Sequence, residues 1–248
     1  MIFRRFVFVL LGSIAANLTV AQPADPEPQT GDALAEQLRS LQPGESTEIS
    51  GMLKIRSPNR RADIPVLCTV VTNGNTWQVI YEARPTTNSG AEKLFVVRSV
   101  DEPNKYLYAR APAPSAILPK PKPLTAAEAN IPFAGSDFWL TELGFEFLRW
   151  PSQRKLPGEM RLGQPCYVLE SINPDAPLVV RVKSWVEKES GGLLIAEAYD
   201  RNKKMVKEFS LAGSSFKKVN GRWQLKKMKI SSPQAKSETV LEFDLPKD

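Results

Sequence analysis

FAGSDFWLTELGFEFLRW, residues 133–150, carries two Trp and four Phe in eighteen residues. One aromatic ring buries about 150–250 Å², so a large apolar surface must lie against this stretch. Strand-like runs flank it on both sides, and it therefore divides a chain that reads as mostly β. Ser136 and Asp137 suit a helix N-cap and Gly144 a stop, which predicts a short helix at about 137–143 with Phe138, Leu140 and Leu143 among its apolar residues. Two readings follow: a plug in an ordinary core, or a lid over a cavity. The sequence alone leaves both open.

Upstream, APAPSAILPKPKP (111–123) contains five prolines. Each removes a backbone donor and favours extended, left-handed geometry, so this is a semi-rigid loop leading into the aromatic stretch. Before it come two expected hairpins. IPVLCTVVTN (64–73) is almost continuously apolar, as in a strand covered on both faces, and Asn73-Gly74 turns it into TWQVIYEA (76–83), where Trp77, Val79 and Tyr81 alternate with other positions. LFVVRSV (94–100) and KYLYAR (105–110) form the second. Further back, GDALAEQLRSL (31–41) places Leu34, Leu38 and Leu41 at helical spacing, a short amphipathic helix that needs a surface to lie on.

Downstream, CYVLESI (166–172), LVVRVKSWVEKE (178–189), LLIAEAYDR (193–201), KKMVKEFSL (203–211), a run around Phe216, RWQLKKMKIS (222–231) and ETVLEFDL (238–245) read as strands joined by short turns, hence as successive antiparallel neighbours. In 222–231 the apolar phase slips from Trp223 and Leu225 to Met228 and Ile230, which predicts a β-bulge.

The first residues, MIFRRFVFVLLGSIAANLTVAQ, join Arg4 and Arg5 to an apolar run shorter than the roughly twenty residues of a membrane span and ending in small residues. This is the pattern of a secretory signal peptide, with cleavage expected after Ala21. The organisation expected is therefore a leader at 1–21, a flexible segment at 22–30 and a single domain at 31–248 holding the proline loop and the 133–150 segment. Loss of Arg4 and Arg5 takes the net charge from +6 to +4. Positive residues are dispersed except for Lys217, Lys218, Arg222, Lys226, Lys227 and Lys229. That argues against nucleic acid as a partner and leaves peripheral contact with an anionic membrane surface, or with an acidic partner, as a lesser alternative. Cys68 and Cys166 fit either a disulfide, reasonable in an exported chain, or two separate buried thiols.

The chain has no histidine, which removes the commonest general base and metal ligand. No nucleophile elbow, P-loop or dinucleotide glycine pattern occurs. Glu187, Glu189 and Glu197 fall where polar strand faces and turns put them, although an acid pair of the glycosidase type stays open. No catalytic residue, metal or cofactor is expected, and the chain is not expected to be an enzyme. A curled antiparallel sheet with short helices over its open face would enclose a dry space suited to acyl chains, each methylene contributing about 0.8 kcal/mol on burial.

AGSDF (134–138), YVLES (167–171), VKSWVEKES (182–190), AEAYD (196–200) and KKVNGRWQLKKMKI (217–230) resemble a divergent branch of the LolA-like outer-membrane lipoprotein-sorting proteins. The second half carries the likeness; the first half matches only in its order of helix, strands and turns. The resemblance implies a half-open β-barrel with helices as a lid. It also implies a periplasmic carrier, expected here as a monomer, that shelters lipoprotein acyl chains or other lipids between an inner-membrane releasing transporter and an outer-membrane acceptor. The alternative is a regulatory or sensory envelope module that recognises a partner protein. The expected cavity and lid residues are Trp77, Val79, Tyr81, Phe138, Trp139, Leu140 and Leu143, with Trp185, Met228 and Ile230 as weaker candidates.

Overall fold

The computed structural model describes residues 27–211, 215–219 and 222–246. The expected leader, and all but the last four residues of the segment at 22–30, lie outside the described residues, as does the turn at Asn220-Gly221. The chain enters through helix α1 (Gly31–Arg39). Thr30 caps it, its hydroxyl accepting the Ala33 N–H at 3.1 Å, while Asp32 and Arg39 sit at the ends where the helix dipole favours their charges. Leu34, Ala35 and Leu38 bury its apolar stripe against Leu148, Leu169 and Val186.

The first hairpins supply β1 (Thr47–Ser57), β2 (Arg60–Asn73), β3 (Thr76–Ala83), β4 (Glu92–Ser99), β5 (Lys105–Arg110) and the two-residue β6 (Lys122–Pro123). After the aromatic segment come β7 (Ser152–Arg161), β8 (Gln164–Ile172), β9 (Arg181–Glu187), β10 (Leu193–Tyr199), β11 (Met205–Ser210), β12 (Phe216–Val219), β13 (Arg222–Leu225), β14 (Lys227–Ser232) and β15 (Ser237–Phe243). Among the described residues thirteen of these form one antiparallel sheet in the order β6-β5-β4-β3-β2-β1-β15-β14-β11-β10-β9-β8-β7. The first and last long strands thus meet at the centre, Leu53 opposite Leu241. The sheet is not closed: its edges are β6 and β7, and the aromatic segment is the chain that passes from one edge to the other. It packs on both arms of the sheet. Phe133, Phe138, Leu140 and Leu143 join the cluster of β1–β4, β14 and β15, while Trp139, Phe145, Phe147 and Trp150 meet Val182, Leu193 and Ala196 on β9 and β10.

Three sequence expectations change, and one open alternative closes. β2 is not covered on both faces: Ile64, Val66, Cys68 and Val70 are buried, whereas Pro65 and Val71 on the other face are exposed, because only the concave face is filled. The helix at 137–143 does not form. The segment is built from 3-10 turns at Phe133–Gly135, Glu142–Gly144 and Glu146–Arg149. Asp137 caps no helix because β15 claims it, its carboxylate accepting the hydroxyls of Ser237 and Thr239 at 2.5 and 2.7 Å. Phe133 N–H donates to the Phe138 carbonyl and Leu140 N–H to that of Ile131, so bonds across a tight local loop take groups a helix would use. The β-bulge is replaced by a break. β12 and β13 leave the sheet as a separate two-stranded ribbon, β11 pairs directly with β14, and Ser215 accepts both the Lys226 and Lys227 N–H groups at the break. Of the two readings open for Cys68 and Cys166, the structure has the second: two separate buried thiols. They sit in different clusters, Cys68 inside the curl and Cys166 beside Trp185.

Candidate functional site: a cavity beneath the aromatic crossing

Inside the second arm of the curl, beneath the crossing segment, lies a cavity of about 340 Å³. Trp139, Phe145, Phe147 and Trp150 form its roof; Val182 of β9, Ala196 and Ala198 of β10, Phe209 of β11 and Ile230 of β14 form its floor; Ala176, Pro177 and Val179 close one side. The hollow has a local cause. Ala196 and Ala198 are two apart on one strand and so face the same way, and methyl groups where neighbouring strands carry larger residues leave room.

Phe145 is the pivot of the roof. Its backbone sits in the left-handed region at φ 53°, joining two 3-10 turns, and its ring lies edge-on to Phe147 and Phe209 at 6.2 and 5.4 Å. It also lines two small hollows. One, of about 40 Å³, is shared with Trp77, Val79, Arg98, Leu38 and Leu148. The other, of about 10 Å³, is shared with Tyr81, Phe138, Leu143 and Met228. The ring of Phe145 is thus a partition common to all three spaces.

Polar groups at the cavity serve mainly to hold the roof down. Lys207 of β11 donates to the Glu142 carboxylate at 2.8 Å and to the Asp137 carbonyl at 2.6 Å, and its ammonium lies 3.4 Å from the centre of the Trp139 ring. Glu142 also accepts the Trp139 N–H at 2.7 Å. Burial pushes the Glu142 carboxyl above its ordinary pKa despite the neighbouring ammonium, and burial lowers that of Lys207 despite the carboxylate. Elsewhere Arg60 donates to the Gly135 carbonyl, Arg39 to that of Leu148 and Arg149 to that of Ser99. Glu92, buried on β4, accepts the Ala134 N–H at 2.8 Å and the Tyr108 hydroxyl at 2.7 Å, holding Ala134 at φ 51°. The crossing segment is therefore fastened to both arms by individual side chains.

Of the residues singled out in the sequence, Trp139 and Ile230 line the main cavity. Trp77 and Val79 line the 40 Å³ hollow, and Tyr81, Phe138, Leu143 and Met228 the smallest one. Two stand apart from all three spaces. Leu140 is fully buried in the core, and Trp185 packs with Cys166, Val168 and Ile195 while its indole N–H donates to Glu159. Phe145, Phe147, Phe209, Val182 and the two alanines were not foreseen. AEAY carried the signal, small residues at alternate positions of a strand; Phe145 and Phe147 were hidden by the expectation that a helix ended at Gly144.

A family model described as "Uncharacterized protein" matches residues 74–247. No curated protein sequence matches the chain. Among solved structures, a putative outer membrane lipoprotein-sorting protein domain from Vibrio parahaemolyticus is similar at 18% identity with a TM-score of 0.67, covering 87% of this chain and 90% of its own. A DUF1329 family protein from Desulfovibrio piger is similar at 16% identity and a TM-score of 0.66, covering 86% and 90%. A LolA superfamily protein from Nitrosomonas europaea is similar at 16% identity and a TM-score of 0.55, covering 88% and 95%. At these identities the likeness is one of fold.

Proposed function

This chain belongs to the family whose model spans residues 74–247, with a LolA-like fold, and we propose that it is an exported carrier that shelters an acyl chain, of a lipoprotein or another lipid, in the cavity beneath residues 133–150. The observation that carries the reading is the cavity itself: about 340 Å³, roofed by Trp139, Phe145, Phe147 and Trp150 and floored by Val182, Ala196, Ala198, Phe209 and Ile230. Ligand pockets run from about 300 to 1,000 Å³, so the space suits one chain, and several would require the roof to lift. Apolar walls bind by area, each methylene contributing about 0.8 kcal/mol, and so hold the acyl chain itself. In this reading the protein works in the periplasm, taking its cargo from a releasing transporter at the inner membrane and yielding it to an acceptor at the outer membrane.

Ala196→Phe tests the reading by filling the hollow from its floor. A ring placed in empty space adds little strain, so the variant should fold with stability unchanged within about 1 kcal/mol. Its affinity for a fluorescent long-chain fatty acid should fall at least tenfold. Undiminished binding by a folded variant would remove the cavity from the account.

A further inference from the structure

Arg98 is the unexplained group of the interior. It follows Leu94 and Val96 at alternate positions of β4, so its side chain enters the buried face of the sheet, and the residue is 8% exposed. Its Nε–H is buried without a partner, and no carboxylate among the described residues forms an ion pair with it. Glu146, the acid nearest in charge, is engaged by the Tyr106 hydroxyl at 2.8 Å and the Asn104 amide at 2.9 Å instead. The charge of Glu146 favours the cation without touching it, and the ring of Trp77 lies 5.2 Å from the guanidinium carbon. Other arginines are used: Arg39 grips the Leu148 carbonyl of the crossing segment, and Arg149 of that segment grips the Ser99 carbonyl of β4. A buried cation left without a counter-charge is costly, and such groups are ordinarily paired.

The guanidinium lines the 40 Å³ hollow whose other walls are Leu38, Leu41, Val79, Phe145 and Leu148. A water needs about 10–15 Å³ by this measure, so the space takes about three waters, or one compact anionic group. Its apolar walls make a poor site for a free hydrated anion. Phe145 is the residue it shares with the lining of the main cavity. We propose that Arg98 is the counter-charge for an amphiphile with a small anionic head, a carboxylate or a phosphate, whose apolar chain runs past Phe145 into the main cavity. The proposal rests on the carrier reading and deepens it: the cargo class becomes a single-chain anionic lipid, selected by charge at one end and by area along the rest.

The test compares myristate, myristyl phosphate and myristyl alcohol, each titrated below its micelle concentration into the protein and into Arg98→Met, with Trp fluorescence and native mass spectrometry as readouts. The protein should prefer at least one of the anions to the alcohol by tenfold or more, and the better anion identifies the head group. Arg98→Met should abolish that preference while binding the alcohol at least as well, and without ligand it should melt at a higher temperature because an unpaired charge is gone. Equal affinity for all three in the unaltered protein would overturn the anion site and leave the carrier reading intact. Binding of none would overturn both. Should Arg98→Met not fold, the preference of the unaltered protein and its retention in Arg98→Lys decide the matter.

Discussion

Replacing Lys207 by Met removes the ammonium that fastens the roof to β11, and its cost can be worked out. The variant leaves Glu142 and the Asp137 carbonyl without their donor, though Glu142 keeps the Trp139 N–H. Breaking one partner of a buried pair costs about 3–5 kcal/mol. Because Glu142 retains one bond and can take up a proton, the lower end applies, about 3 kcal/mol near neutral pH. For a chain of this length that lowers Tm by roughly 6–12 °C. The pH dependence is the sharper part. Burial already raises the Glu142 pKa above its unfolded value, and removing Lys207 raises it further. Folding then takes up a proton, so the stability linked to Glu142 is complete below the ordinary carboxylate pKa and is lost as pH rises through the raised one. The deficit of Lys207→Met should therefore shrink as the pH falls through that window. The double variant Lys207→Met/Glu142→Leu should recover to within about 1 kcal/mol of the unaltered protein, since a pair replaced as a whole leaves no orphan charge. Urea unfolding followed by Trp fluorescence at several pH values measures all three. A loss below about 1 kcal/mol at neutral pH, or one independent of pH, would show that Lys207 does not bear on the roof as described.

Phe145→Ala removes the partition between the three hollows. It should cost about 3–5 kcal/mol as a large-to-small change, yet shift the preferred fatty-acid length upward in a competition assay. Gly31→Ala should destabilise the fold by about 1–3 kcal/mol in thermal unfolding, because its added Cβ would lie 2.4 Å from the Gln153 carbonyl oxygen where α1 meets β7. Cys68, its thiol pushed up to about 12 by burial, should resist alkylation in the folded protein. Both cysteines should be modified on unfolding without prior reduction, as mass spectrometry would show, and a requirement for reductant would contradict the free thiols.

The arms of the sheet were legible because they obey period two. Trp77, Val79 and Tyr81 alternate in β3 as in the sequence, and Asn73-Gly74 makes the expected turn, with Gly74 at φ 58°. Edge strand β7 was not legible. SQRKLPGEMR has little apolar pattern and a proline, both tolerable because β7 is the edge of the sheet among the described residues. The crossing segment was recognised as a unit but given the wrong local form, because hydrogen bonds from β15 and β4 outweigh its helical caps. At the site, sequence picked out large residues, whereas a cavity is made by small ones; Ala196 and Ala198 create the space that Trp139 and Ile230 line. Arg98 was in plain view, in phase with Leu94 and Val96, and a charged residue on the buried face of a strand is a signal that periodicity alone can supply.

Native mass spectrometry of the protein isolated from the cells that make it, followed by extraction and identification of what it holds, tests the carrier account most directly. The account predicts one acyl-bearing molecule per chain, displaced by added myristate and absent from Ala196→Phe. A bare polypeptide mass that stays bare after incubation with long-chain fatty acids would contradict it.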